Sequence, residues 1–264
     1  LPVPEGFALS TRAGRKLPPT PAGLDKPGDS GTGSLDPTLW AGVLRELAAL
    51  EASTGCRFGD PEKPLLLSVR SGAPVSMPGM MDTILNIGLG KALLDARSRL
   101  PQEAAFWHDC RLHLIWLFAS SVHAGLAMPK LATVVKSWYH HRDEVSRLDW
   151  SRAVLDHALE LYREYSGQDF PEDPLDQLRQ AVAAVFRSWN SLRAREYRAI
   201  NHIPDHLGTG VTVQRMVFGN RDKRSASGVL FTRDPESGRP DFGEMVPRGQ
   251  GEEVVSGQNS ARDI

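Results

Sequence analysis

The sequence predicts an α+β fold, and three observations support that prediction. Residues 1–89 mix helical and extended patterns. Residues 91–165 carry apolar residues at helical spacing, with few strand signals. After Ile200 the apolar residues change to period two, which is typical of short strands. Because helices and strands fall into separate blocks rather than alternating, α+β fits better than a doubly wound fold.

The N-terminal part predicts a strand, a loop and a helix in that order. Residues 1–10 alternate apolar and polar groups around two prolines, as in a short edge strand. Residues 11–37 are rich in Pro, Gly, Ser and Lys and predict a surface loop. The spacing of apolar residues over 39–53 predicts an amphipathic helix that ends at Gly55.

Residues 65–89 are the stretch around which the rest of the chain is organised. The apolar run 65–69 predicts a buried strand that ends at Arg70, and Asp82 with Thr83 fits a helix cap. Between them lies a loop of small, flexible residues: Ser71, Gly72, Ala73, Ser76 and Gly79. A strand that delivers an Arg beside such a loop offers backbone N–H groups, hydroxyls and a guanidinium, which are the groups that hold phosphate.

The remaining elements follow from periodicity and turn signals. Residues 103–127 predict one helix or two, and residues 131–138 and 151–165 predict two more. Asp173 is the predicted cap of a further long helix, with Pro174 in its first turn. The last region predicts three strands, at residues 210–219, 227–233 and 243–246.

Composition describes an ordinary soluble globular protein of 264 residues, with 41% hydrophobic and 24% charged residues. A net charge of −1 gives no reason to expect nucleic acid or an anionic membrane as a partner. No apolar stretch approaches the roughly 18 residues of a membrane span. Cys56 and Cys110 alone suit a reducing compartment, so we expect a cytoplasmic protein. The start at Leu1 lacks signal-peptide features and reads as the middle of a longer protein.

Several blocks, in the same order along almost the whole chain, resemble the pyruvate, phosphate dikinase family. Two of them fall in the central stretch, SVRSGA at 68–73 and SMPGMMDTILN at 76–86. The others are LPVPEGF at 1–7, FPEDP at 170–174, AVFRSWN at 184–190, MVFGN at 216–220, GVLFTRDP at 228–235 and GQGEEVVSG at 249–257.

The resemblance implies the amino-terminal nucleotide-binding domain of that family, an ATP-grasp fold with an inserted helical subdomain. It divides the chain into a first ATP-grasp subdomain (residues 1–89, with 176–205 returning to it), a helical insertion (90–175) and a second ATP-grasp subdomain (206–264). In the family, ATP with Mg²⁺ lies between two subdomains. A pyrophosphoryl group passes from it to a histidine on a separate domain, on the route between pyruvate and phosphoenolpyruvate. No segment here resembles the family's histidine motif, and a homodimer is one assembly that the resemblance allows.

The resemblance gives Arg70 the role of a phosphate clamp and a catalytic residue. Spacing alone supports equally well the alternative that Arg70 is one half of a structural ion pair. The loop residues Ser71, Gly72, Ser76 and Gly79 would then bind the ATP phosphates. The glycines can also serve only a tight turn, because a lone Gly-rich stretch is weak evidence.

Four further residues are implied by the resemblance, and three of them have an alternative. Glu244 resembles the family's catalytic, metal-binding glutamate, although an exposed strand-end acid is the commoner outcome. Gln250, with Glu252 nearby, would complete the metal and phosphate shell. Gln214 would meet the adenine edge, or else face solvent from a strand. Arg111 aligns loosely with a basic residue near the phosphates, or else forms a surface salt bridge.

Two departures from the family pattern motivate a second hypothesis. The family's lysine-containing glycine motif would precede Leu1, and Asn259 stands where the family has an arginine. Phosphoryl transfer needs several positive partners. A nucleotide-binding or regulatory paralogue without full catalysis is therefore the alternative. A related dikinase with another phosphoryl acceptor is a further alternative. The block at 76–81 argues against it.

Other conspicuous residues predict structure rather than chemistry. His108, Cys110 and His113 fall on different faces of a helix and predict no metal site. Three loop methionines predict adaptable packing: Met77, Met80 and Met81. Three arginines predict a solvated helix face: Arg193, Arg195 and Arg198.

Overall fold

The structure, a computed structural model, describes residues 2–14, 35–77, 79–124, 126–141, 148–222, 224–233, 238, 240–247, 249–250 and 262–263. The chain divides into two compact units, Leu1–Met216 and Val217–Ile264. The three-part division into ATP-grasp subdomains and a helical insertion stays a prediction.

Unit 1 combines helices with a small sheet, as the α+β prediction requires. Its helices are α1 (Thr11–Gly14), α2 (Pro37–Thr54), α3 (Lys91–Arg97), α4 (Pro101–Val122), α5 (Pro129–His141), α6 (Leu148–Ser166), α7 (Pro174–Ser188) and α8 (Leu192–Ile200). Its strands are β1 (Gly6–Leu9), β2 (Arg57–Phe58), β3 (Pro64–Leu65), β4 (Leu67–Gly72), β5 (Thr83–Ile87) and β6 (Gly210–Arg215). A 3₁₀ turn at Asp205–Leu207 precedes β6.

The main sheet of unit 1 has four strands in the order β1-β6-β4-β5, all antiparallel. Successive residues of a strand face opposite sides. Val69 and Val213 pair with each other and are fully buried on the side that α7 covers. Their neighbours Arg70 and Thr212 therefore lie on the opposite face of the sheet. The predicted edge strand over residues 1–10 is confirmed as β1.

The predicted helix caps at the ends of α2 and α7 are confirmed. The backbone N–H groups of Leu175 and Asp176 donate to the Asp173 carboxylate, at 2.7 and 3.4 Å. Gly55 ends α2 in the left-handed conformation, with φ 66°, where a residue without a side chain is favoured.

The predicted helix cap at Asp82 and Thr83 is wrong, because Thr83 begins β5. Ile84 and Ile87 pair with β4 and are completely buried, so this segment contributes to the sheet core. The pairing shifts by a residue within β5, where Asn86 has φ 62°. Asn tolerates this left-handed conformation better than most residues do.

The helical region contains α4, α5 and α6, and α4 is one continuous helix up to Val122. His108, Cys110 and His113 have separate surroundings on α4. His108 Nδ1 lies 2.6 Å from Ser151 Oγ, while the Cys110 carbonyl accepts a hydrogen bond from Asn86. Within the described part of the chain, no three His, Cys, Asp or Glu side chains are arranged to hold a metal ion.

The predicted solvated face of three arginines is wrong for Arg198. Its side chain is 1% exposed and pairs with Asp205 at 2.7 Å. Its guanidinium carbon also lies 4.1 Å from the ring centre of Trp189. Arg193 and Arg195 are exposed, although Arg193 pairs with Asp82.

Unit 2 contains a three-stranded antiparallel sheet in the order β7-β8-β9. The strands are β7 (Ala226–Arg233), β8 (Pro240–Pro247) and β9 (Arg262–Asp263). The strands predicted over 227–233 and 243–246 are confirmed, and the strand predicted over 210–219 ends earlier, at Arg215. Within the ranges that the structure describes, no helix has the length and apolarity to span a bilayer.

Candidate functional site

Arg70 lies in the middle of the open face of the unit 1 sheet. Its neighbours across the sheet are Thr212 on β6 and Thr83 on β5, and Ala8 on β1 lies beyond Thr212. The Arg70 side chain is exposed, and the two threonines are half-buried. None of the residues described by the structure forms an ion pair or a hydrogen bond with the Arg70 guanidinium. A cation without an internal partner is available to an anionic ligand.

The loop between β4 and β5, residues 73–82, follows Arg70 directly. Gly72 closes β4, and its N–H donates to Thr209 Oγ1 at 3.2 Å. Ser71 is half-buried, whereas Ser76 and Gly79 are exposed. Gly79 has φ 68° in a turn closed by the Met80 N–H and the Met77 carbonyl, at 3.2 Å. This turn needs a glycine-like residue, and it leaves the loop tip open to solvent.

The loop methionines pack against the corner between α7 and α8. Met77 is 6% exposed and belongs to a small apolar cluster with Trp189 and Ala194. Met80 and Met81 pack against the same cluster. The prediction that these methionines serve packing is therefore confirmed.

Polar contacts hold the same loop at its C-terminal end. The Asp82 N–H donates to Ser188 Oγ at 3.2 Å. The Arg193 guanidinium pairs with the Asp82 carboxylate and donates to the Met80 carbonyl at 3.1 Å. Burial raises the pKa of Asp82, while the charge of Arg193 and a hydrogen bond from Ser121 act in the opposite direction. The loop thus has fixed ends and an exposed tip.

Arg111 lies inside the protein rather than on the open face. Its side chain is 2% exposed and donates to Glu172 at 2.5 Å and to the Leu89 carbonyl. Its guanidinium carbon is 4.5 Å from the ring centre of Phe170. Burial lowers the pKa of Arg111, and the Glu172 carboxylate opposes that shift. Arg111 thus forms the expected salt bridge from a buried position, and only its partner Glu172 reaches the surface.

Gln214 is half-buried on β6, two residues from Thr212 on the same face of the sheet. Its side-chain Nε2 donates to the Pro4 carbonyl at 2.9 Å, and its backbone lies opposite Ser68 and Gly6. The amide therefore contacts the chain next to β1 rather than facing only solvent.

In unit 2, the backbone of Glu244 lies opposite Val229 and Asp263. Its side chain lies outside what the structure describes, as do Glu252 and Asn259. Gln250 is 1% exposed. Its neighbour Gly249 has a carbonyl 2.5 Å from where a β-carbon at Gly219 would stand, so only glycine fits at 219. The described side chains thus give no set of oxygen donors for Mg²⁺.

Comparison with known proteins decides the family. The family model described as "Pyruvate phosphate dikinase, AMP/ATP-binding domain" matches residues 34–263. The chain belongs to this family.

Relatives of the whole chain bear the same name. Pyruvate, phosphate dikinase 2 of Zea mays is 41% identical, and pyruvate, phosphate dikinase 1, chloroplastic, of Arabidopsis thaliana is 38% identical. Pyruvate, phosphate dikinase of Clostridium symbiosum is 36% identical. Each match covers 100% of this chain, but only 29%, 27% and 30% of the respective relatives. The chain therefore spans less than a third of the length of these dikinases.

Sequence reasoning missed the residues that hold the loop in this dikinase-family chain. Ser188 and Trp189 lie in the block AVFRSWN, so a signal existed, but nothing in that block indicates what it contacts. Ser188 is 106 residues from Asp82, and Arg193 is 111 residues from it. Thr209, which accepts from the Gly72 N–H, lies outside the blocks that indicated the family.

Proposed function

We propose that the chain is an ATP-grasp nucleotide-binding domain that binds ATP through Arg70 and the loop at residues 73–82. The observation that carries the proposal is the exposed Arg70 guanidinium, which has no partner among the described residues although it lies in the centre of a sheet. A sheet-borne cation held beside a Gly- and Ser-containing loop suits a polyphosphate.

Each loop residue has a definite part in this proposal. Ser71 and Ser76 offer hydroxyl donors, and Gly79 offers backbone at an exposed turn. The Gly72 N–H already donates to Thr209, so Gly72 contributes space beside Thr212 rather than a donor. The phosphates would thus meet Arg70 and the exposed loop tip.

The remaining assignments are proposed on the basis of family membership. Gln214 would contact adenine, and Glu244 with Gln250 would hold Mg²⁺, which neutralises phosphate charge when it is bound. Residues 1–89 with 176–205, and residues 206–264, would be the two ATP-grasp subdomains, with 90–175 inserted. Arg111 would have to leave Glu172 and Leu89 to reach a phosphate, so we assign the phosphate clamp to Arg70 instead.

For the whole protein, we propose pyrophosphoryl transfer from Mg-ATP to a histidine on a separate domain, on the route between pyruvate and phosphoenolpyruvate. The names of the relatives support this proposal. The second candidate is a nucleotide-binding paralogue without transfer, which Asn259 favours because the family has an arginine there. Labelled ATP, together with the histidine-bearing domain of a relative, separates the two. Label on the histidine supports transfer, and ATP binding without label supports the paralogue.

Isothermal titration calorimetry with Mg-ATP tests the binding proposal directly. Arg70→Ala should weaken the affinity about 10- to 100-fold, because hydrogen bonds to a charged group are lost. The affinity of Arg70→Lys for Mg-ATP should lie between those of the wild type and of Arg70→Ala, since a Lys keeps the charge but not the forked donors. Arg45→Ala is the matched control, because Arg45 is an exposed arginine on α2 that pairs with its neighbour Glu46. Absence of ATP binding by the wild-type chain, or equal affinity in Arg70→Ala, contradicts the proposal.

A further inference from the structure

Most contacts that hold the loop at residues 73–82 come from one segment, residues 188–209, and Ser121 on α4 is a further partner of Asp82. Ser188 accepts from the Asp82 N–H, and Arg193 bonds both Asp82 and the Met80 carbonyl. Trp189 packs on Met77. These contacts act over more than 100 residues of sequence, and they fix both the backbone and the side chains of the loop.

That segment is itself rigidly braced. Buried Arg198 donates to the Trp189 carbonyl, and its Nε donates to the Asp205 carboxylate at 2.8 Å. Trp189 Nε1 donates to the Asp205 carbonyl at 3.0 Å. Arg198 also stacks over the Trp189 ring. The surface that receives the loop is therefore preformed, because Trp189, Arg198 and Asp205 bond one another within the segment.

The loop itself has little intrinsic order. Pro74 and Pro78 restrict the backbone at two positions, but Gly79 and the other residues can adopt several conformations in the absence of tertiary contacts, and ordering them costs conformational entropy. Only its ends and its methionines are fixed, whereas Ser76 and Gly79 at its tip are exposed. A loop that is ordered before a ligand arrives binds more tightly, since the ligand does not have to order it.

We propose that Arg193 and Asp82 form a loop anchor that holds residues 73–82 in the conformation that binds phosphate, so that Arg193 is a positioning residue for ATP. This inference rests on the proposed ATP-binding function. Arg193 acts through Asp82 and Met80, and its own charge is already paired. The Arg193 side chain is 55% exposed, but that of Asp82 is only 12% exposed, so removing Arg193 leaves a largely buried carboxylate at the end of the loop without this partner. The loss should therefore open the loop locally before it affects the rest of the fold.

The first arm of the test uses no nucleotide. Hydrogen exchange of the 264-residue chain is measured on peptides covering residues 79–83. Arg193→Ala and Asp82→Asn should each speed exchange there roughly tenfold, because the loop opens locally. Arg195→Ala is the matched control, an exposed arginine two positions away on α8, and should leave exchange unchanged. If hydrogen exchange over residues 79–83 is the same in Arg193→Ala as in the wild type, the proposed loop anchor is wrong, whichever ligand the chain binds.

The second arm measures Mg-ATP affinity by calorimetry. Arg193→Ala and Asp82→Asn should each weaken Mg-ATP binding about tenfold. The double variant should bind no more weakly than either single variant, because both substitutions break the same ion pair. Arg193→Lys should recover part of the affinity, since Lys can still pair with Asp82. Wild-type affinity in Arg193→Ala, or additive losses in the double variant, overturns the positioning role. If the wild-type chain binds no ATP, the proposed function is wrong. The hydrogen-exchange experiment then still tests the loop anchor, because it does not depend on ATP binding.

Discussion

Arg70 and Arg193 carry the same charge, but their surroundings suit the two different roles proposed for them. Arg70 is exposed in the centre of a sheet and has no partner among the described residues, so its charge is available to a ligand. Arg193 is also exposed, but Asp82 and Met80 already use its donors. The pairing of each guanidinium, rather than its exposure, separates a binding cation from a positioning one.

His108 permits a prediction about pH. Burial lowers its pKa from 6.5 to about 4, with a smaller contribution from Arg152, while Asp156 acts in the opposite direction. Between these two values the unfolded chain binds a proton that the folded chain does not bind. Stability is therefore lost as pH falls from about 6.5 towards 4, with a slope of at most about 1.4 kcal/mol per pH unit for this proton.

Urea unfolding followed at several pH values between those limits measures this slope. His108→Gln should reduce the slope of the unfolding free energy against pH by up to about 1.4 kcal/mol per pH unit, the contribution of one proton. His157→Gln should not do so, because His157 is exposed on α6. A slope in His108→Gln equal to that of the wild type would contradict the assignment.

At the scale of elements, α7 connects the sheet core to the segment that holds the loop. It begins at Pro174, after the capping residue Asp173, and ends at Ser188, which accepts from the Asp82 N–H. Its buried face covers the sheet beneath Arg70. The position of the loop therefore depends on the register and the ends of this helix.

The cap of α7 can be tested by substitution. Asp173→Ala should lower the free energy of unfolding by about 1 kcal/mol, because two backbone N–H groups lose their acceptor. Asp173→Asn should cost much less, since it keeps an acceptor oxygen at the same place. Thermal unfolding of the two variants beside the wild type measures the difference. Equal destabilisation by Ala and Asn would mean that the charge, not the cap, matters.

Local features of the elements could be predicted from the sequence, whereas long-range ones could not. The Asp173 cap and the left-handed Gly55 depend on neighbours within a few residues. The helix prediction at Thr83 is wrong because a short apolar run fits either a helix or a strand, and only pairing with β4 decides between them. Arg198 is buried because Trp189 and Asp205 surround it in the fold, which spacing along a helix does not reveal.

At the scale of the whole molecule, the motif blocks identify the family but not how its loop is held. The blocks predicted Arg70 and the loop correctly as neighbours, because they are adjacent in sequence. The contacts from Ser188 and Arg193 arise from folding alone, since more than 100 residues separate them from Asp82. The sequence thus indicates the local motif of such a site, but not the distant residues that hold the motif in place.

Linkage between ATP binding and unfolding gives a prediction for the whole chain. Mg-ATP at 100 times its dissociation constant should stabilise the folded state by about 2.7 kcal/mol, which corresponds to roughly 5–10 °C in melting temperature. Helical circular dichroism reports on unit 1, because all the helices in the described ranges belong to it. Adenosine at the same concentration should give little or no shift, because the proposed contacts of Arg70 and its loop are with phosphates. A shift by adenosine as large as that by Mg-ATP would show that the base, rather than the phosphates, carries the binding.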